Sequence, residues 1–255
     1  MVKISVTIIT FNEERNIGRC IESVKEIADD IVVVDSFSTD RTEEICMNLG
    51  ARFFPRRWEG YVETKNIAAS LANFDYILSL DADEALSDEL ISSIKNVKDE
   101  FLADAYTMNR MTNYCGKWIK HSGWYPDTKL RLYDRRKGKW EGLIIHEELK
   151  MEQGSKIEHL LGDILHYSFY TIEDHLKQSE KFTTLGAEAD FKKGKKAPAY
   201  KIWFAPVVKF TQSYFFKLGF LDGKEGFTIS KLSAAATFQK YNKLKKLYQQ
   251  KNAGA

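Results

Sequence analysis

Apolar and polar positions alternate in blocks through the first hundred residues, and the period switches between strand and helix. Ile4 to Thr10 is apolar and β-branched, as expected of a buried first strand. Ile17, Cys20, Ile21, Val24 and Ile27 then recur at helical spacing, predicting a helix over 16–28. Asp30-Ile31-Val32-Val33-Val34-Asp35 reads as a second strand, and Thr39 or Asp40 can cap a helix over 41–49 that Gly50 closes. A short strand over 51–54, a helix over 61–72, a strand over 76–80 and a helix from Ser87 to about Phe101 complete the series. This order predicts an α/β fold with a mainly parallel sheet flanked by helices.

Beyond Ala103 the pattern loosens. Strand-like stretches lie at 105–109, 129–133, 144–149 and 164–167, around a loop rich in aromatics from Trp118 to Tyr125. A helix is expected from Thr171 to about Lys192, followed by a lysine run and an aromatic-dense stretch over 199–221. Three regions are therefore expected: a first half-domain over 1–103, a second over 104–170, and a helical C-terminal appendage over 171–255.

Composition narrows the class only slightly. The 255 residues are 44% hydrophobic and 29% charged, with a net charge of +2, so the overall balance argues for neither nucleic acid nor acidic substrates, and no nucleic-acid partner is expected. Cys20, Cys46 and Cys115 lack metal-ligand spacing and read as reduced thiols in a cytosolic setting, the first two buried on helix faces. No signal peptide is expected, because Asn12 to Arg15 interrupt the first apolar run at once. No uncharged run reaches the roughly 18 residues of a membrane-spanning helix.

The chemistry concentrates where strands end. Tyr76 to Leu80 delivers Asp81 and Asp83 to the carboxyl end of a strand, the edge at which open α/β sheets collect ligands. Two carboxylates there either cap the helix near Ser87 or seat a hard divalent cation, Mg²⁺ or Mn²⁺, that also holds phosphates. The first strand is not followed by a glycine-rich dinucleotide fingerprint, and a P-loop is missing too. A bound nucleotide would thus be recognised by side chains at strand ends, with Asn12, Glu13 and Asp35 in position. The competing reading makes Asn12 and Asp35 turn and cap residues.

Val6 to Glu13, Val33 to Thr42 with its Asp35-Ser36-Phe37-Ser38-Thr39-Asp40, Lys65-Asn66 and Asp81-Ala82-Asp83 form an ordered set. It resembles the nucleotide-sugar domain of inverting family 2 glycosyltransferases. The second block departs from the common pattern of two adjacent acids and is similar to a subgroup of bacterial lipopolysaccharide-core β-glucosyltransferases. The resemblance implies a GT-A-like fold and a nucleoside-diphosphate sugar donor, UDP-hexose by family habit. It puts Asn12, Glu13 and Asp35 around the nucleoside, Lys65 and Asn66 near it or the phosphates, Asp81 at the ribose or metal-bound water, and Asp83 on the metal. Lys65 has the alternative of being a solvated helix lysine.

Inversion needs a base for the acceptor hydroxyl. The resemblance points to the segment His146-Glu147-Glu148, with Glu147 as the base, His146 as a pocket or metal-side partner and Glu148 as the alternative. Arg131 either grips an anionic group or lies on a surface strand. His166 and His175 read as core histidines, with His166 the one that can approach the metal. Trp124 and its loop either stack on an acceptor sugar or close the core. The mixture of aromatics and lysines over 199–221 suits an interfacial membrane element or a helix packed on protein. The implied enzyme acts on a saccharide or lipid-linked acceptor at the inner face of the cytoplasmic membrane. Two other classes compete: a sugar-nucleotide nucleotidyltransferase, whose glycine-rich basic loop is missing here, and a non-catalytic carbohydrate- or membrane-binding module.

Overall fold

The structure, a computed structural model, describes residues 1–143 and 146–253; the side chains of Leu143, His146, Asn252 and Ala253 also lie outside that description. The chain divides into two compact units, one of residues 1–111 and 127–167, the other of residues 112–126 and 168–255.

The first unit is built on strand β1 (Ile4–Thr10), all of whose residues are buried. Ser5 and Thr7 alternate with Ile4, Val6 and Ile8 yet are buried too, because the strand is covered on both faces; Ser5 is satisfied by Asp30 at 2.9 Å. Helix α1 (Ile17–Val24) buries Ile17, Cys20, Ile21 and Val24, the stripe expected of a helix packed on a sheet. Strand β2 (Asp30–Asp35), helix α2 (Thr42–Asn48), strand β3 (Arg52–Pro55), helix α3 (Tyr61–Leu71) and strand β4 (Tyr76–Asp81) follow. β1 lies parallel between β2 and β4, and β2 pairs parallel with β3. The register sets Thr10 opposite Asp35 and Ile9 opposite Asp81, so three strands finish at one edge.

After β4 come strand β5 (Glu84–Leu86), helix α4 (Asp88–Asp99) and strand β6 (Ala105–Tyr114). The two-residue strand β7 (Lys117–Trp118) belongs to the second unit, and strands β8 (Asp127–Asp134), β9 (Gly138–Leu143), β10 (His146–Met151) and β11 (Ile157–Phe169) complete the set. The sheet order is β3-β2-β1-β4-β8-β6-β11-β5, a parallel half continued by an antiparallel half. The sequence pattern suggested one strand over 144–149; the chain instead pairs β9 with β10 antiparallel, Glu147 facing Gly142 and Glu148 facing Glu141. Ser87 accepts a hydrogen bond from the Leu90 N–H and so is itself the cap of α4.

The second unit holds helices α5 (Ile172–Lys192), α6 (Ala199–Thr211) and α7 (Gly223–Ala253), with α6 continuing into a π-helical turn over Gln212–Phe216. Thr171 and Asp174 cap α5 reciprocally, satisfying two otherwise unpaired backbone donors. Tyr114, Ile119, Phe169 and Ile229 form its buried cluster, with Trp124 packed against them. Gly226 is required by close approach, since a Cβ there would stand 1.9 Å from the Gly219 carbonyl oxygen. Among the described residues, no helix is long and apolar enough to cross a membrane.

Candidate active site

The loops after β1 and β2 knit into one ledge. Asp35 Oδ2 accepts from the Ser38 N–H at 2.7 Å, and the Ser38 hydroxyl both donates to Asp35 and accepts from the Asn12 N–H at 2.7 Å. Asn12 Oδ1 accepts from the Thr39 N–H at 2.8 Å, and the Glu13 N–H donates to Thr42 Oγ1 at 2.9 Å. Asn12 and Asp35 therefore do the turn-making work that the sequence allowed them, and Asn12 adopts a positive φ of 53°. Glu13 accepts from the Asn16 amide at 2.7 Å, and burial pushes its carboxyl above the usual carboxylate range. Phe11 and Phe37 stand exposed on this ledge, and Phe37 holds φ at +62°, an uncommon conformation for an aromatic residue. Neither was singled out from the sequence; an aromatic placed directly after a strand-end Thr10 or Asp35-Ser36 was the available signal.

At the end of β4 the two aspartates part company. Asp81 lies between two cations, with Lys65 Nζ 3.0 Å from Oδ1 and Arg131 Nη2 3.0 Å from Oδ2. Burial pushes its carboxyl up, but Lys65 and Arg131 outweigh that and hold it well below the usual carboxylate range. Asp83 instead meets His166, Nε2 to Oδ2 at 3.1 Å, and its carbonyl accepts from the Tyr167 N–H. The His166 Nδ1 is buried with no hydrogen-bond partner. Burial alone would lower the basicity of His166; the Asp83 carboxylate reverses this and raises its pKa.

Glu84, whose role the sequence did not reveal, is the hub beneath them. Its side chain is fully buried: Oε1 accepts from Arg131 at 3.0 Å and Arg110 at 3.2 Å, and Oε2 accepts the Asp81 N–H at 2.9 Å. Arg110 also donates twice to Asp127. Arg131 is thus a buried arginine in a charge network rather than a surface strand residue. Buried charges persist only when paired and hydrogen-bonded, and this network meets both conditions.

Lys65 is buried as well, with Trp140 beneath its ammonium at 4.4 Å and Glu147 at 3.8 Å. Asn66 donates to the Trp140 carbonyl at 2.9 Å and accepts its N–H at 3.0 Å, so it clamps β9 to α3. Lys65, Asp81, Arg110, Arg131, Trp140, Glu147 and Glu148 share a cleft of about 660 Å³. His146 is placed by its backbone only, opposite Leu143. In the second unit, Trp124 packs with Tyr114, Phe169 and His175. His175 is a core histidine, its Nδ1 3.0 Å from the Tyr114 hydroxyl and its pKa lowered by burial.

The sequence profile of "Glycosyl transferase family 2" matches residues 5–157, which takes in the ledge, Lys65, Asp81, Asp83, Glu84, Arg131 and Glu147 but not His166. The chain belongs to glycosyltransferase family 2. It is 34% identical over 97% of its length to an uncharacterized glycosyltransferase of Rickettsia typhi, covering 88% of that protein. It is 28% identical to the lipopolysaccharide core biosynthesis glycosyltransferase LpsC of Rhizobium meliloti, covering 93% of each chain. Among solved structures, S. aureus TarS 1–349 in complex with UDP aligns with 98% of this chain and 92% of its own, at 16% identity and a TM-score of 0.47.

Proposed function

We propose that this family 2 glycosyltransferase moves a hexose from a nucleoside-diphosphate sugar, UDP-linked by the habit of the family, to a saccharide or lipid-linked acceptor with inversion. Its likeness to LpsC supports a place in lipopolysaccharide-core synthesis. A lipid-linked acceptor would place the reaction at the inner face of the cytoplasmic membrane. The observation that carries the reading is the shared edge: Asp81 and Asp83 follow β4 beside the ledge made by Asn12, Glu13 and Asp35, with Glu147 and Asp81 lining one cleft.

The ledge offers Phe11 and Phe37 as flat apolar surfaces for a base, and its polar groups edge the nucleoside. Asp83 would supply a carboxylate oxygen to a hard divalent ion, and His166, its Nε2 3.1 Å from Asp83 Oδ2, would add a nitrogen donor that suits Mn²⁺ better than Mg²⁺. Among the described residues, three or more His, Cys, Asp or Glu side chains do not gather into one metal-binding group. Two protein donors suit Mg²⁺ or Mn²⁺, which take further oxygens from water and substrate phosphates. The chemistry supplied by a bound cation is neutralisation of the diphosphate as it leaves. Asp81, committed to Lys65 and Arg131, serves the site by fixing these cations on the cleft wall; a ribose contact through its partly exposed face is compatible with that.

Glu147 takes the acceptor hydroxyl's proton as that oxygen bonds to the anomeric carbon and the carbon–oxygen bond to the diphosphate breaks. Attack opposite the leaving group inverts the centre. Lys65, 3.8 Å from the Glu147 carboxylate, orients it. A panel of nucleotide sugars tested by thermal shift with and without Mn²⁺ identifies the donor, since a ligand that binds only the native state raises the melting point. Glu147→Gln should lower turnover by about a thousandfold or more while leaving nucleotide binding intact. Near-normal turnover moves the base to Glu148.

A further inference from the structure

The second unit carries an apolar stripe that faces outward. On α6, Tyr200, Trp203, Phe204, Val207 and Val208 recur at the i, i+3, i+4, i+7, i+8 spacing of one helix face, yet each is more than 60% exposed. The opposite face supplies the buried Ile202. Phe216 continues the exposure at 81% on the π-helical turn. That turn is held rigidly: Ser213 donates to the Ser122 carbonyl at 3.1 Å and accepts from Ser230 at 3.1 Å, while buried Asp222 accepts from the His121 N–H at 2.9 Å. Soluble surfaces scatter single apolar residues; a continuous, periodic, aromatic stripe marks a surface with a partner.

Charge says which partner. The second unit holds 18 lysines, no arginine and seven acidic residues, a net +11 in a chain whose total is +2. Lys201 borders the stripe on α6 and Lys217 directly follows Phe216, and both are exposed. A two-fold contact through this face would bring together two units that each carry +11. An anionic bilayer surface offers the complement, with rings at headgroup depth and lysine stems reaching up to phosphate.

We propose that α6 and the turn after it form an interfacial docking surface for a membrane rich in anionic phospholipid. It deepens the reading of transfer to a lipid-linked acceptor, on which it rests for the reason a bilayer is met. The stripe lies flat on the lipid and does not span it. The experiment is sedimentation of the full chain with phosphatidylcholine vesicles, with and without about a third phosphatidylglycerol, alongside Trp203→Ser/Phe204→Ser and Phe216→Ser. Binding should be about tenfold tighter to the anionic vesicles, fall with salt, and drop about tenfold in the variants. UDP-dependent thermal shift, measured in parallel, should be unchanged by these exposed substitutions, so loss of vesicle binding with intact donor binding is separable from failure of the enzymatic reading. Binding indifferent to anionic lipid or to the substitutions overturns the proposal. So does a dimer, seen by light scattering, that the same substitutions dissociate.

Discussion

Replacing Glu84 by Gln tests the buried network with the smallest possible change in shape. The carboxylate accepts on one oxygen from Arg131 and Arg110, at 3.0 and 3.2 Å, and on the other from the Asp81 N–H at 2.9 Å. A glutamine can satisfy only one of these ends. If its oxygen faces the arginines, its NH₂ meets the Asp81 N–H, leaving buried donors unpaired at a cost of about 1–3 kcal/mol. The arginine bonds then lose their charge assistance, about 1 kcal/mol each. Arg131 keeps Asp81 at 3.0 Å and Arg110 keeps Asp127 at 2.8 Å, which sets the total at the lower end of the 3–5 kcal/mol typical of a broken buried pair. At about 2–4 °C per kcal/mol for a chain of this size, the melting temperature should fall by roughly 6–12 °C. Thermal unfolding followed by circular dichroism at neutral pH measures it. Adding Arg131→Met to Glu84→Gln should cost less than the sum of the two single changes, because the charge left uncompensated is removed. A fall below about 2 °C for Glu84→Gln, or strict additivity in the double variant, would refute the claim that Glu84 holds these arginines.

Asn66→Ala should cost about 1–3 kcal/mol of stability by releasing the Trp140 backbone, and should lower kcat, with nucleotide affinity changed by less than about twofold; a large loss of nucleotide binding would instead place Asn66 at the donor. Asp83→Asn and His166→Ala should each reduce the Mn²⁺-dependent part of the nucleotide thermal shift by at least about half, whereas Asp29→Asn should leave it alone. Asp29 gives a pH prediction. Burial raises its pKa, but Lys98 Nζ at 2.7 Å and the Ile4 N–H at 2.9 Å outweigh it, so the folded carboxyl titrates below the unfolded value. Its stabilising contribution is complete above about pH 4 and is lost as pH falls through the folded pKa. Urea midpoints should therefore decline on the acid side in the parent chain and less steeply in Asp29→Asn.

How far the site could be read from sequence depended on whether a residue's partners were near in the chain. Local pattern placed β1, α1, β2, α3 and β4 to within a few residues, the strands as short β-branched or apolar runs and the helices as longer segments between them. The strand-end position of Asn12, Asp35 and Asp81 followed from the same alternation. Glu84 and Lys65 were different: Glu84 is buried against Arg110 and Arg131 from distant strands β6 and β8, and Lys65 against Asp81, Glu147 and Trp140. Local propensity carries no record of such pairs. The antiparallel pairing of β9 with β10 was hidden for a simpler reason, because Leu143-Ile144-Ile145 reads in the sequence as one apolar run with no break.

The pair Asp81 and Asp83 shows why spacing alone misleads about electrostatics. Read as neighbours, two carboxylates one residue apart call for a cation between them. In the fold Asp81 is neutralised by Lys65 and Arg131, and Asp83 faces His166 on its own. Repulsion between them is therefore no argument for a metal; the argument is the half-buried carboxylate–imidazole pair, which can exchange one hydrogen bond for an ion. It follows that charge removal at the two positions should not be equivalent. Asp81→Asn leaves two buried cations short of a counter-charge and should act mainly on stability, whereas Asp83→Asn removes one oxygen beside a partly exposed histidine and should act on metal-dependent binding with the fold intact.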